Sequence, residues 1–140
     1  MHYFQSLQHI HWLAVLLGGL AHFALGAIWY SKILFSKKWL TYTKIDIADP
    51  NASKGMAGIF ISSILMALLS SFAIAVLAYK MNTVGVFNGT HLGLLVGICF
   101  GVTAISNSYL YEKRPLGLHL INGGYTVLGS VIAAIIICSM

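Results

Sequence analysis

Hydrophobic positions in this chain fall in long unbroken tracts, separated by short polar stretches. Residues 1–31, 55–79, 81–111 and 115–140 contain no Asp, Glu, Lys or Arg. Each tract exceeds the roughly 20 apolar residues that a helix, rising about 1.5 Å per residue, needs to cross a hydrocarbon core about 30 Å thick. The runs at 13–17 and 133–138 are apolar throughout, unlike the strands of a membrane β-barrel, which alternate apolar and polar positions over about ten residues. The pattern predicts an all-α, four-transmembrane-helix bundle with spans at about 11–31, 55–79, 90–111 and 116–138. Each span is expected to be one continuous helix, because unpaired backbone is costly in lipid. The 140 residues then form a single membrane domain, with no segment left for a separate water-soluble catalytic unit.

Between the first two spans, residues 32–54 form the longest polar stretch, with Lys32, Lys37, Lys38, Lys44 and Lys54 set against Asp46 and Asp49. The turn before the fourth span adds Lys113 and Arg114, whereas the second loop has only Lys80 at its edge. Short loops rich in Lys and Arg stay in the cytoplasm, so the chain is expected to lie N-out and C-out in a cell membrane, the bacterial inner membrane. Residues 33–42 set Ile33, Leu34, Phe35, Trp39 and Leu40 among basic residues, the pattern of a short amphipathic segment lying in the interface. Trp29, Tyr30, Trp39 and Tyr42 fall at that same level, where aromatic belts occur.

Composition supports this reading. Hydrophobic residues make up 59 % of the chain and charged residues 8 %, against about a quarter charged in a soluble domain. The net charge of +5 flanks the spans and suits the lipid bilayer and anionic headgroups on the cytoplasmic side as partners. No nucleic acid is expected, since no recognised binding module accompanies the charge.

Helices in a bilayer associate by close packing, which small residues permit. Gly93, Gly97 and Gly101 form such a stripe in the third span; Gly18 and Gly26 flank His22 at the same spacing in the first. Each stripe suits a helix of the same chain or of a second copy equally well, so a homo-oligomer is one of two expected outcomes.

Polar groups within spans mark candidate function, because they are expensive there. His22, Asn107, Asn122 and Tyr125, with Trp29 and Tyr30 at the inner end of the first span, are the candidate ligand-binding set if their faces converge into a cytoplasm-facing polar pocket. Tyr109, Ser62 and Ser63 fall near that level. The competing reading makes these groups interhelical hydrogen bonds that only fix register. His2, His9 and His11 gather near the outer end, but His9 and His11 do not share a helix face and supply too few ligands, so neither a metal nor another cofactor is expected. Cys99 and Cys138 read as buried thiols. The spans hold no acidic residue, which argues against carboxylate-driven transport and acid–base catalysis.

The stretch Gly26-Ala-Ile-Trp-Tyr-Ser-Lys-Ile-Leu-Phe-Ser-Lys-Lys-Trp-Leu follows a span opening His11-Trp-Leu-Ala-Val, and Ile121-Asn-Gly-Gly-Tyr lies in the last span. This arrangement resembles the bacterial membrane family designated domain of unknown function 1761. Its members carry Gly-x-x-Trp-Tyr-Ser-Pro, then Leu-Phe-Gly and a Trp, followed by three more spans with an Asn/Ala-Gly-Tyr element in the last. Lys32 stands here in place of that proline and Ser36 in place of the glycine. The resemblance covers essentially the whole chain and implies a four-span membrane protein without an established activity. The expected role is a non-enzymatic scaffold or accessory component acting through helix packing; the alternative is an oligomeric small-molecule or lipid binding or transport protein.

Overall fold

The computed structural model describes residues 2–140, with side chains from residue 5 onward, and is entirely helical among them. The elements are α1 (His2–Leu7), α2 (Trp12–Trp29), α3 (Ser36–Thr43), α4 (Met56–Lys80), α5 (Val86–Val96), α6 (Thr103–Tyr111) and α7 (Leu116–Ser139), with a π-helical segment, Gly97–Val102, joining α5 to α6. Four units are long and apolar enough to cross a membrane: α2, α4, the continuous 86–111 unit and α7. The short helix α3 lies within the stretch expected to be amphipathic.

Helix boundaries have local causes. The His11 imidazole Nδ1 accepts from the Ala14 N–H at 3.2 Å and caps α2, meeting one of the orphan donors of a helix start. Gly55 at φ +75° precedes α4, and Gly85 at φ +89° precedes α5, a backbone region open to glycine at little cost. Gly85 also donates its N–H to the Cys138 carbonyl at 2.8 Å. This bond ties the start of the third unit to the end of α7, and helix begins at Val86, four residues earlier than the sequence suggested. Pro115, extended at ψ 148°, sets the entry to α7.

The third unit departs from the expected continuous α-helix. Over 97–102 the turns widen to the π form, which alters the backbone pairing. The Thr103 hydroxyl donates to the Cys99 carbonyl at 2.6 Å and approaches the Phe100 carbonyl at 3.2 Å, so a side chain supplies bonding where the regular ladder is interrupted.

α7 is the hub of the bundle. One of its faces takes α5 and the π segment, another takes α2 and α4, and α3 packs near its start, where Tyr42 covers Gly117. A Cβ on Gly97 would lie 2.7 Å from Val127 Cα, and one on Gly89 would lie 2.9 Å from the Ala134 carbonyl; Gly93 faces the Val131 backbone and Gly101 the Thr126 side chain. Gly18 meets Ser71 and Ala133, while Gly26 lies against the Tyr125 ring. Every glycine stripe foreseen from the sequence is therefore occupied by a helix of the same chain.

The interior consists mostly of small residues. Ala14, Ala67, Ala75, Ala78, Ala133 and Ala134 are buried, and the fully buried Ser71 donates to the Val15 carbonyl at 2.8 Å. Large side chains such as Leu13, Phe60, Leu69, Phe100 and Leu120 point outward, an arrangement suited to a lipid surround in which close packing holds helices together. Cys138 is buried, but Cys99 is exposed on the outside of the π segment, which corrects the expectation of two buried thiols.

Replacing Gly97 by Leu should lower the stability of the detergent-solubilised protein by about 3 kcal/mol, the upper range for overfilling a packed interface. Gly58, whose Cβ position has nothing within 4 Å, should accept Ala without loss. Equal melting temperatures for Gly97→Leu and wild type would refute the packing account.

Candidate functional site

Two groups of polar side chains lie between α7 and its neighbours. The first joins three helices near the end of the bundle that carries the lysine-rich loop. The Tyr30 hydroxyl donates to Asn122 Oδ1 at 2.7 Å, and Asn122 Nδ2 donates to the Tyr109 hydroxyl at 2.6 Å. The Trp29 indole N–H donates to the Ile121 carbonyl at 2.9 Å. Rings close the cluster: Trp39 meets Tyr30 edge-on at 5.7 Å, Phe35 lies 4.7 Å from Trp29, and His119 meets Tyr109 at 5.2 Å. Both ends of the Asn122 amide are bonded, so this group links α2, α6 and α7 in a fixed register.

The second group lies one to two turns deeper. The His22 ring packs directly over Gly129, where any Cβ would collide with the imidazole, and tilts against Tyr125 at a centroid distance of 5.1 Å. The Tyr125 hydroxyl approaches the His22 carbonyl at 3.4 Å, and the edge of Tyr30 lies 5.4 Å from the Tyr125 ring, linking the two groups. His22 is only 7 % exposed, and its Nδ1 is buried with no hydrogen-bond partner. Whichever tautomer is present, that atom is either an N–H without an acceptor or a lone pair without a donor, and an unmet polar atom in an apolar surround costs of order 1–3 kcal/mol.

His22 and Tyr125 lie in the wall of a groove of about 650 Å³, completed by Thr126 of α7 and by Gly58, Ile59, Ser62, Ser63, Met66 and Ala67 of α4, with Gly55 at its mouth. The groove exists because α4 packs closely on the bundle only from Ala67 onward; nearly all of its first eleven residues are exposed, with Phe60 reaching the Phe23 ring of α2 edge-on at 6.4 Å. No charged residue lines the space. Ser63 donates back to the Ile59 carbonyl at 2.8 Å and Thr126 to the Asn122 carbonyl at 2.9 Å, the usual resting bond of a helical hydroxyl. Among the described residues Ser62 makes no such bond.

Of the six residues singled out from the sequence, five come together: His22 and Tyr125 in the groove wall, and Trp29, Tyr30 and Asn122 in the adjoining cluster. Asn107 does not join them. It lies exposed on the outer side of α6, in a shallow depression with Phe100, Thr103, Ala104 and Leu110. The reason is helical geometry, since residues two apart do not share a face and Tyr109 is the one turned toward α7. Away from these groups, His9 stacks on Tyr79 at 5.6 Å and the His91 ring bonds the Phe87 carbonyl at 2.8 Å; the His2 side chain lies outside the described residues.

Fold and site together define a four-span, all-helical membrane protein with an uncharged groove between helices. The chain belongs to the family described as protein of unknown function (DUF1761), which matches residues 13–138. No curated protein and no solved structure matches it.

Replacing Asn122 by Ala removes two interhelical bonds and should cost about 1–2 kcal/mol, whereas Asn107→Ala should leave stability unchanged. Thermal unfolding of the two variants side by side checks this, and a larger loss for Asn107→Ala would contradict the assignment.

Proposed function

We propose that the protein is a non-enzymatic, multi-pass protein of the bacterial inner membrane that binds a small uncharged molecule in the groove between α2, α4 and α7. With the lysine-rich loop on the inside, as the charge distribution supports, the groove opens toward the cytoplasmic half of the bilayer. The observation that carries the reading is the uncharged groove of about 650 Å³ itself, with His22, Tyr125 and the unbonded Ser62 hydroxyl in its lining. Concave sites of 300–1,000 Å³ with a few convergent polar groups are the usual form of small-molecule sites.

Scaffolding through the glycine stripes is less well supported, because Gly18, Gly26, Gly93, Gly97 and Gly101 all pack within the chain. An accessory or homo-oligomeric role draws instead on the outward face of α6, where Asn107 offers an unpaired amide at membrane depth. Lys32, Lys37 and Lys38, together with Lys113 at the same end of the bundle, suit anionic headgroups.

Native mass spectrometry of gently solubilised protein tests both readings. The expected result is one small molecule retained per chain in the wild type and lost in Ser62→Trp, which fills the groove from its exposed wall. A bare chain of unchanged behaviour in both forms would overturn the binding reading. Loss of a discrete oligomer in Asn107→Leu would favour the accessory role.

A further inference from the structure

The outward face of α6 selects its own partner, an inference that rests on the homo-oligomeric reading above and is independent of the groove. Asn107 is exposed on that face, and among the described residues its amide has no hydrogen bond. Asn88, the other asparagine of the third unit, donates back to the Val84 carbonyl at 2.9 Å, and the Thr103 hydroxyl donates back to Cys99 in the same way. Tyr109, two residues further on, bonds the Asn122 amide inside the bundle. Asn107 therefore lies near the depth of that paired amide, where an unmet amide is expensive. An acyl chain offers it nothing, and a headgroup carbonyl accepts from its N–H while leaving its oxygen unmet. The residues around it form a seam. Phe100, Thr103, Asn107 and Leu110 line one depression and follow one another at spacings of three, four and three. That is the a and d repeat by which two parallel helices pack, and a single asparagine at an a position fixes their register. Ala104 and Ser106 flank the seam, and small flanking residues let a second backbone come close. Within the chain α6 packs on α7 through its opposite face.

We propose that the protein pairs with a second copy of itself through this seam. Copies inserted in one membrane share an orientation, so α6 meets α6 in parallel about a two-fold axis along the membrane normal, and each residue near the axis faces its own image. The two Asn107 side chains meet there, each Nδ2 donating to the Oδ1 of the other. An amide carries a donor and an acceptor side by side, so its own image satisfies both at once, as Tyr30 and Tyr109 together do for Asn122. Thr103 and Leu110 pack on their images at the d positions. The groove between α2, α4 and α7 lies on the far side of α7 and stays open in the pair.

The test reads the oligomeric state of the full chain by native mass spectrometry in mild detergent, and the contact itself by disulfide formation in membranes. The wild type should be a dimer whose dissociation constant rises about tenfold in Asn107→Leu. Asn107→Gln, which keeps an amide, should recover part of the loss. Asn88→Leu removes an amide already bonded within its own helix and should leave the dimer unchanged. In a Cys99→Ser background, Leu110→Cys should join two copies by a disulfide under mild oxidation, whereas Leu120→Cys, exposed on α7, should not. Diluted until the wild type separates, Asn107→Leu and wild type should melt together, since this face adds nothing to the fold of one chain. A wild type that is monomeric at every concentration, or that pairs only with a different chain, would overturn both this interface and the homo-oligomeric reading. A dimer that persists in Asn107→Leu, or that is joined through position 120 and not through position 110, would keep the homo-oligomeric reading and overturn the interface.

Discussion

The structure depends on how closely other helices can approach the backbone of α7. With lipid on the outside, leucine against leucine gains little over leucine against an acyl chain, so cohesion comes from backbones near enough for dense packing. Gly89, Gly93 and Gly97 provide that approach from the third unit, and Gly18 provides it from α2. The contacts are reciprocal in kind: α7 presents Val127, Val131 and Ala134 to one side, and Gly129 and Ala133 to the other. Gly129 admits the His22 ring as Gly18 admits the Ser71 hydroxyl, so the glycines also position polar side chains within the bundle. The Ser71 bond to the Val15 carbonyl adds a polar tie between α2 and α4.

The same constraint explains where the bundle opens. α4 has its small buried residues, Ala67, Ser71, Ala75 and Ala78, in its second half. Before them come the bulky, exposed Ile59, Phe60, Ile61 and Leu65, with Ile59 in the groove lining and Phe60 edge-on to Phe23. Gly58 lies in this half but meets nothing within 4 Å. With no continuous small-residue face to bring the first half against α2 and α7, the helix stands off from them and the groove follows. A partly closed bundle with one open flank is the consequence of a stripe that covers half a helix.

Much of this was legible in the sequence, and the rest was hidden for definite reasons. Charge-free tracts locate the spans to within a few residues because the energetic penalty for a charge in hydrocarbon is large and insensitive to detail. The glycine spacing marks the packing faces, though not their partners; the spacing of Gly93, Gly97 and Gly101 is the same whether α7 or another chain lies opposite. Periodicity also could not show the π segment, since the widening lies in the backbone over 97–102 and leaves the apolar run unbroken. Asn107 and Tyr109 fall at similar depth, and sequence alone does not say which of two opposed faces meets α7. Tyr30 and Asn122, separated by 92 positions, lie at matched depths in antiparallel spans, which is why depth alone was enough to suggest their meeting.

Satisfied and unsatisfied polar groups separate two roles within one interface. Asn122 uses its oxygen and its nitrogen on Tyr30 and Tyr109, and nothing more is needed to account for a costly amide at that depth. His22 is buried to a greater degree, yet its Nδ1 is enclosed without a partner. Packing alone does not require an imidazole over Gly129, because an apolar ring of similar shape would fill that space without an unmet polar atom. The bonded amide is therefore explained by the fold, whereas the imidazole keeps an unmet polar atom that the packing over Gly129 does not require.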